Sequence, residues 1–163
     1  MSKTLSDITR VRRRFQRSIR LGDDAGAAAG FICTATAAQA LKTTIEHVSG
    51  LGHGAFTWTG PYGCGKSSLA VVLAAVLGSD GPDRDEALKV LPLQLREQIM
   101  EELRWAPQGW TTVSIVGSRA DTAAVITAAL DEAGIKKGNG PIERLVAEAK
   151  RGIGTLLVID EMG

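Results

Sequence analysis

Aromatic, cysteine and histidine side chains are scarce in this chain, and a long apolar run is missing altogether. Two cysteines, Cys33 and Cys64, cannot build the disulfide framework of a small secreted domain and suit a reducing, cytoplasmic setting. Two histidines, His47 and His53, lack metal-ligand spacing and are read as incidental. No stretch approaches the roughly 18 apolar residues of a membrane span, and the basic N-terminus leads into no signal-peptide apolar core. A membrane is therefore not an expected partner. Internal repeats and low-complexity tracts are absent, apart from a small Ala/Gly patch over residues 25–30.

What is present is a length of 163 residues, enough for one domain burying roughly two thirds of its unfolded surface. The net charge of +1 hides an asymmetry. Residues 1–20 carry Lys3, Arg10, Arg12, Arg13, Arg14, Arg17 and Arg20 against Asp7 alone, a net +6 that leaves −5 for the rest. Within that segment Ile8, Val11, Phe15 and Ile19 recur at helical spacing, with Gly22 as a stop. The pattern predicts a basic amphipathic helix, and its Arg-rich, acid-poor character also has the look of an organellar transit peptide. Two further uses stay open for it: contact with nucleic-acid phosphates, weakened by Phe15 being its single aromatic, or docking on the body of the protein.

The residues that constrain the chemistry most are Gly60-Pro61-Tyr62-Gly63-Cys64-Gly65-Lys66-Ser67, which satisfy the pattern G-x-x-x-x-G-K-[ST] of a phosphate-binding loop. Glycines let backbone N–H groups converge on phosphate oxygens, Lys66 can reach the β and γ phosphates, and Ser67 can offer its hydroxyl to Mg²⁺. Ala55-Phe56-Thr57-Trp58-Thr59 alternates and is aromatic and β-branched, predicting a strand that runs into the loop. Residues 68–77, from Ser68 onward, predict a buried helix stopped by Gly78. Strand, loop and helix stand in the order that anchors a triphosphate at a helix N-terminus.

A second motif closes the chain. Thr155-Leu156-Leu157-Val158-Ile159-Asp160-Glu161 is an apolar run ending in two carboxylates, the pattern of a buried parallel strand that delivers acids at its carboxyl end. It resembles a Walker B motif, as Gly60–Ser67 resembles a Walker A. The paired Asp160 and Glu161 resemble the AAA+-like, additional-strand group of P-loop ATPases. That resemblance implies Asp160 in the Mg²⁺ shell beside Ser67, Glu161 as the general base on the attacking water, and Gly60 to Ser68 cradling ATP, with Lys66 catalytic. It also implies a further sensor strand between the two motif strands, so the chain reads as an N-terminal piece of a longer ATPase. Residues 15–20, 30–34 and 60–68 further resemble large bacterial ATPases associated with anti-phage defence, implying a homo-oligomer or larger complex at full length, with nucleic acid a candidate partner.

Between the motifs Thr111–Val116 predicts another strand, and 121–133 and 141–151 predict helices, the first with Asp121 as N-cap and Gly134 as stop. Residues 79–110 read as an inserted helical element in which Leu95, Ile99 and Leu103 make an apolar stripe and Arg96, Glu97, Glu101 and Glu102 take the wet faces. Thr36 and Gln39 form a capping-box pair for a helix ending near Ser49 and Gly50. Phe31, Ile32 and Thr34 are adenine contacts or ordinary packing, Trp105 and Trp110 a partner surface or core, and Arg119 a finger or a surface arginine. Cys64 would make the loop oxidation-sensitive.

The expected fold is α/β: a three-layer P-loop NTPase core with a mainly parallel sheet, incomplete at the C-terminus, comprising a helical lead-in over 1–50 and a partial ATPase domain over 51–163. The expected function is Mg-ATP binding and hydrolysis, powering a nucleic-acid-related or defence assembly. An ATP-binding switch or scaffold with little turnover is the alternative, and a small-molecule kinase is disfavoured by the paired acids.

Overall fold

The computed structural model describes residues 27–103, 106, 108–117 and 119–160. The N-terminal basic segment, Trp105, Glu161 and the two residues after it lie outside this range. The described chain is mixed α/β. After a 3-10 turn at Ala27–Gly30 come α1 (Ala35–Leu51), α2 (Lys66–Leu77), α3 (Pro82–Lys89), α4 (Leu93–Glu102), β1 (Thr111–Val116), α5 (Thr122–Glu132), α6 (Pro141–Lys150) and β2 (Thr155–Asp160). No helix among the described residues is long and apolar enough to cross a membrane.

Helix α2 is apolar on almost every face after its first three residues, so it can only be stable when surrounded. Leu69, Ala70, Val72, Leu73, Val76 and Leu77 are all buried. Leu41 and Ile45 of α1 share its core with Leu95, Ile99 and Leu103, the stripe expected in the insertion. Each such side chain removed from water contributes about 1.5–3 kcal/mol, which is why the 79–110 stretch folds back as α3 and α4 instead of trailing as a loop. Arg96 departs from expectation: it is half-buried, and its guanidinium donates to the Leu91 and Lys89 carbonyls at the end of α3. Trp110 is half-buried and takes the packing alternative. Its ring packs on the helical core, its Nε1 donates to the Leu103 carbonyl at 3.0 Å, and its backbone N–H donates to Leu77 at 2.8 Å. The chain reaches Trp110 through Gly109, whose φ is +78° and where a Cβ would collide with the Gly78 carbonyl, so no side chain is tolerated.

A second core lies between the sheet and its helices. Val113 of β1, Leu130 of α5 and Ile135 are buried there, with Leu145 and Leu157 against them. Strands β1 and β2 pair in parallel, Thr111 opposite Thr155 through Val116 opposite Asp160, joined through α5 and α6. This β-helix-β crossover is the long connection that parallel pairing requires. Asp121 caps α5 by accepting from the Ala124 N–H at 2.9 Å, and Gly134 follows at φ +78°, both as expected.

Three expectations are corrected. The 55–59 strand does not form: these residues lie outside helix and strand and pair with no strand among the described residues. Alternation predicts an extended shape, yet a strand exists only where a neighbour supplies the hydrogen-bond ladder. Secondly, the N-cap of α1 is Thr34, whose hydroxyl accepts from the Ala37 N–H at 3.2 Å. Thr36 is already helical, and Gln39 bonds Thr43 instead of reaching back. That helix runs on to Leu51, where Gly52 at φ 68° ends it with N–H bonds from Gly52 to Val48 and from His53 to His47. Finally, α2 starts at Lys66, two residues before the expected Ser68, so the loop's lysine and serine belong to its first turn.

Candidate functional site

The approach to the loop is fixed from one side. Trp58 is half-buried and its Nε1 donates to Thr44 Oγ1 at 3.3 Å, while Thr44 donates to the Ala40 carbonyl at 2.9 Å. The indole therefore pins the 55–59 segment to α1 two residues before Gly60. Nothing in the one-dimensional pattern announces this contact.

From Gly60 the chain turns out into solvent and back. Pro61 through Cys64 are exposed, Tyr62 at 95%, and the Cys64 N–H donates to the Pro61 carbonyl at 3.3 Å. Gly63 and Gly65 hold φ values of 78° and 89°, a region that side-chain-bearing residues reach only with strain. Gly65 is the N-cap of α2, and the first helical bond runs from the Leu69 N–H to the Gly65 carbonyl at 2.9 Å. The N–H groups of Lys66, Ser67 and Ser68 lie ahead of that ladder, as the first N–H groups of any helix do, and carry the positive end of its dipole.

Lys66 folds over this turn. Its Nζ donates to the Gly60 carbonyl at 3.0 Å, the Pro61 carbonyl at 3.1 Å and Cys64 Sγ at 3.7 Å, which uses all three ammonium hydrogens. The lysine thus ties the two ends of its own loop together. Each of these bonds is one that a more highly charged acceptor, such as a phosphate oxygen, can replace.

The two motifs meet at the next residue. Ser67 Oγ and Asp160 Oδ2 are 2.5 Å apart across a sequence separation of 93, the hydroxyl donating. The register explains how. Asp160 is the last residue of β2 opposite Val116, so its side chain leaves the carboxyl edge of the sheet where α2 begins. The Gly117 N–H donates to the Asp160 carbonyl at 2.7 Å and steadies that edge. Arg119 follows in an exposed bend beyond β1. Glu161, one residue past the sheet, lies outside the described residues.

A hydroxyl and one carboxylate are hard oxygen donors, the pair with which Mg²⁺ is held when phosphates and water supply the other positions. Among the described residues no group of three or more His, Cys, Asp or Glu side chains gathers to hold a metal by itself. Ser67 and Asp160 are the oxygen donors here that could hold such an ion.

The remaining candidates separate. Phe31 packs on the helical core, Thr34 is spent on capping α1, and Ile32 is 71% exposed. His47 and His53 stack edge to face at 5.4 Å, and among the described residues no third metal-ligating side chain joins them. Burial pushes the Cys33 thiol pKa up, whereas Cys64 lies exposed in the loop. An open groove of about 690 Å³, lined in part by Gln39, Thr43, His47, Phe56 and Trp58, runs between α1 and the 55–59 segment. Sequence reasoning missed it because both walls are set by the Trp58 anchor.

No protein-family model, curated protein or solved structure matches this chain, so the loop and the strand end must be interpreted from their own residues.

Proposed function

We propose that this chain is the nucleotide-binding part of a P-loop ATPase of the AAA+-like group, built on a three-layer core, that binds Mg-ATP and hydrolyses it. The observation that carries the reading is the Ser67–Asp160 contact: residues of two separate motifs, each expected to hold Mg²⁺, lie within hydrogen-bond distance at a glycine-loop helix N-terminus.

Phosphate oxygens are taken up by the N–H groups of the loop and the first turn of α2, where the helix dipole favours negative charge. Lys66 exchanges the carbonyls of Gly60 and Pro61 for the β and γ phosphates. Ser67 and Asp160 would hold the Mg²⁺, which would neutralise charge building on the phosphates. Glu161 accepts a proton from the water that attacks the γ phosphorus, as the bond between that phosphorus and the β–γ bridging oxygen breaks and ADP leaves. A nucleic-acid-related or defence assembly as the recipient of this work is supported by the resemblance alone.

Glu161→Gln tests the assignment. Nucleotide affinity, read by equilibrium titration with a fluorescent ATP analogue, should stay within about twofold, while phosphate release in the full chain should fall by about 100-fold or more, a loss typical of a removed general base. Unchanged phosphate release would remove Glu161 from the catalytic role, nucleotide binding with scarcely any release in the unaltered chain would favour the ATP-binding switch, and no binding of the analogue at all would remove the reading.

A further inference from the structure

The charge asymmetry of the chain has a counterpart on its surface. Residues 80–102 hold seven acidic side chains against three basic ones, a net −4, so nearly all of the negative balance outside residues 1–20 sits on α3, α4 and the residues beside them. Two of the three basic side chains are already engaged, Arg84 with Asp80 and Arg96 with backbone carbonyls. Asp85 and Glu86 of α3 and Glu97 and Glu101 of α4 are exposed, with no ion-pair partner among the described residues. On α4 the positions 93, 97 and 101 share one face, opposite the buried Leu95 and Ile99. Its first member, Leu93, is 64% exposed and gives the acidic stripe an apolar end.

The fold also brings the opposite charge there. The 3-10 turn at Ala27–Gly30 packs against α2 and α3, with Ala28 buried, so the chain enters the described fold beside α3, the first of the two acidic helices. Only residues 21–26 separate Arg20 from that turn, a span of at most about 20 Å at 3.3 Å per residue. A tether this short sets an effective concentration in the millimolar range, enough for individually weak ion pairs to act together.

We propose that the outer face of α3 and α4 is the docking surface for the chain's own basic segment, residues 8–20. The arginines meet Asp85, Glu86, Glu97 and Glu101, while apolar residues from the stripe Ile8, Val11, Phe15 and Ile19 cover Leu93. The contact is independent of nucleotide and leaves the arginines unavailable to nucleic acid.

Hydrogen exchange on the full chain reads this directly. At low ionic strength, amides of residues 8–20 should exchange at least tenfold more slowly than at about 1 M salt, where the Debye length is about 3 Å. The quadruple change Asp85→Lys, Glu86→Lys, Glu97→Lys and Glu101→Lys should abolish that protection while leaving the amides around Ile99 unchanged. Reversing Arg12, Arg13, Arg14 and Arg17 to Glu should do the same, and combining both sets should restore protection. Failure of the combined protein to recover, or protection that ignores all of these charges, overturns the proposal. So does protection that arises only on adding a 20-base-pair DNA duplex, which would assign the segment to nucleic acid.

Discussion

Two segments of this chain begin almost alike and end differently. Residues 55–59 and 155–160 are both short, β-branched or aromatic runs that lead straight to a proposed ligand of the nucleotide or its metal. The second is a strand because β1 lies beside it along its full length. The first remains an unpaired segment, held by one indole hydrogen bond to α1. Propensity is the same kind of signal in both, and the neighbour is what differs. The contrast extends to the halves around them: a helical core gathers about α2 on the loop side, and a smaller core lies under the sheet on the Asp160 side.

The largest effects should come from asking whether those halves are one cooperative unit. Ile99→Ala opens the helical core and Leu130→Ala the sheet core, and each should cost about 2–5 kcal/mol in urea denaturation. The Ser67–Asp160 bond and the packing of Leu156 of β2 on the helical core cross between the halves, so both variants should shift one shared transition. Two separate transitions would show the halves to be independent. Next in size is a division of labour at the site. Lys66→Ala should weaken nucleotide binding about 10–100-fold with or without Mg²⁺, the loss of a charge-assisted bond, as read by fluorescence titration. On the proposed function, Asp160→Asn should weaken it by about tenfold only when Mg²⁺ is present, since its oxygens would act through the metal. A metal-independent loss in Asp160→Asn would break that division. The smallest effects concern the caps that start one helix in each half. Thr34→Ala and Asp121→Ala should each cost about 1 kcal/mol, and Thr36→Ala clearly less, because its hydroxyl caps nothing. Equal losses at Thr34 and Thr36 would return the cap of α1 to the capping box.

How far the chain could be interpreted without coordinates follows the range of each interaction. Local rules worked where the cause was local: Asp121 caps α5, Gly134 follows it, and Leu95, Ile99 and Leu103 form the buried face of the insertion. They failed at Thr36 because Thr34, two residues earlier, satisfies the same amide-capping need, and a pattern cannot choose between neighbouring hydroxyls. They failed at 55–59 because pairing is a property of two segments. Arg96 was placed in water by its charge, although its long stem and planar donors suit the end of α3. At the site, the glycines and Lys66 were legible as a loop, but the closure of that loop on its own lysine was not.

The order of the motifs, the helical character of residues 82–102, the apolar run that ends in Asp160 and the split of charge between residues 1–20 and the rest were legible in the sequence alone, because each follows from composition or from residues within a few positions of one another. Only the tertiary structure decided that Ser67 meets Asp160, that Trp58 fastens the approach to the loop, and that the chain enters the described fold beside α3. Those contacts join residues far apart along the chain, and they form only when the burial of α2 and the register of β1 with β2 bring both partners to one place.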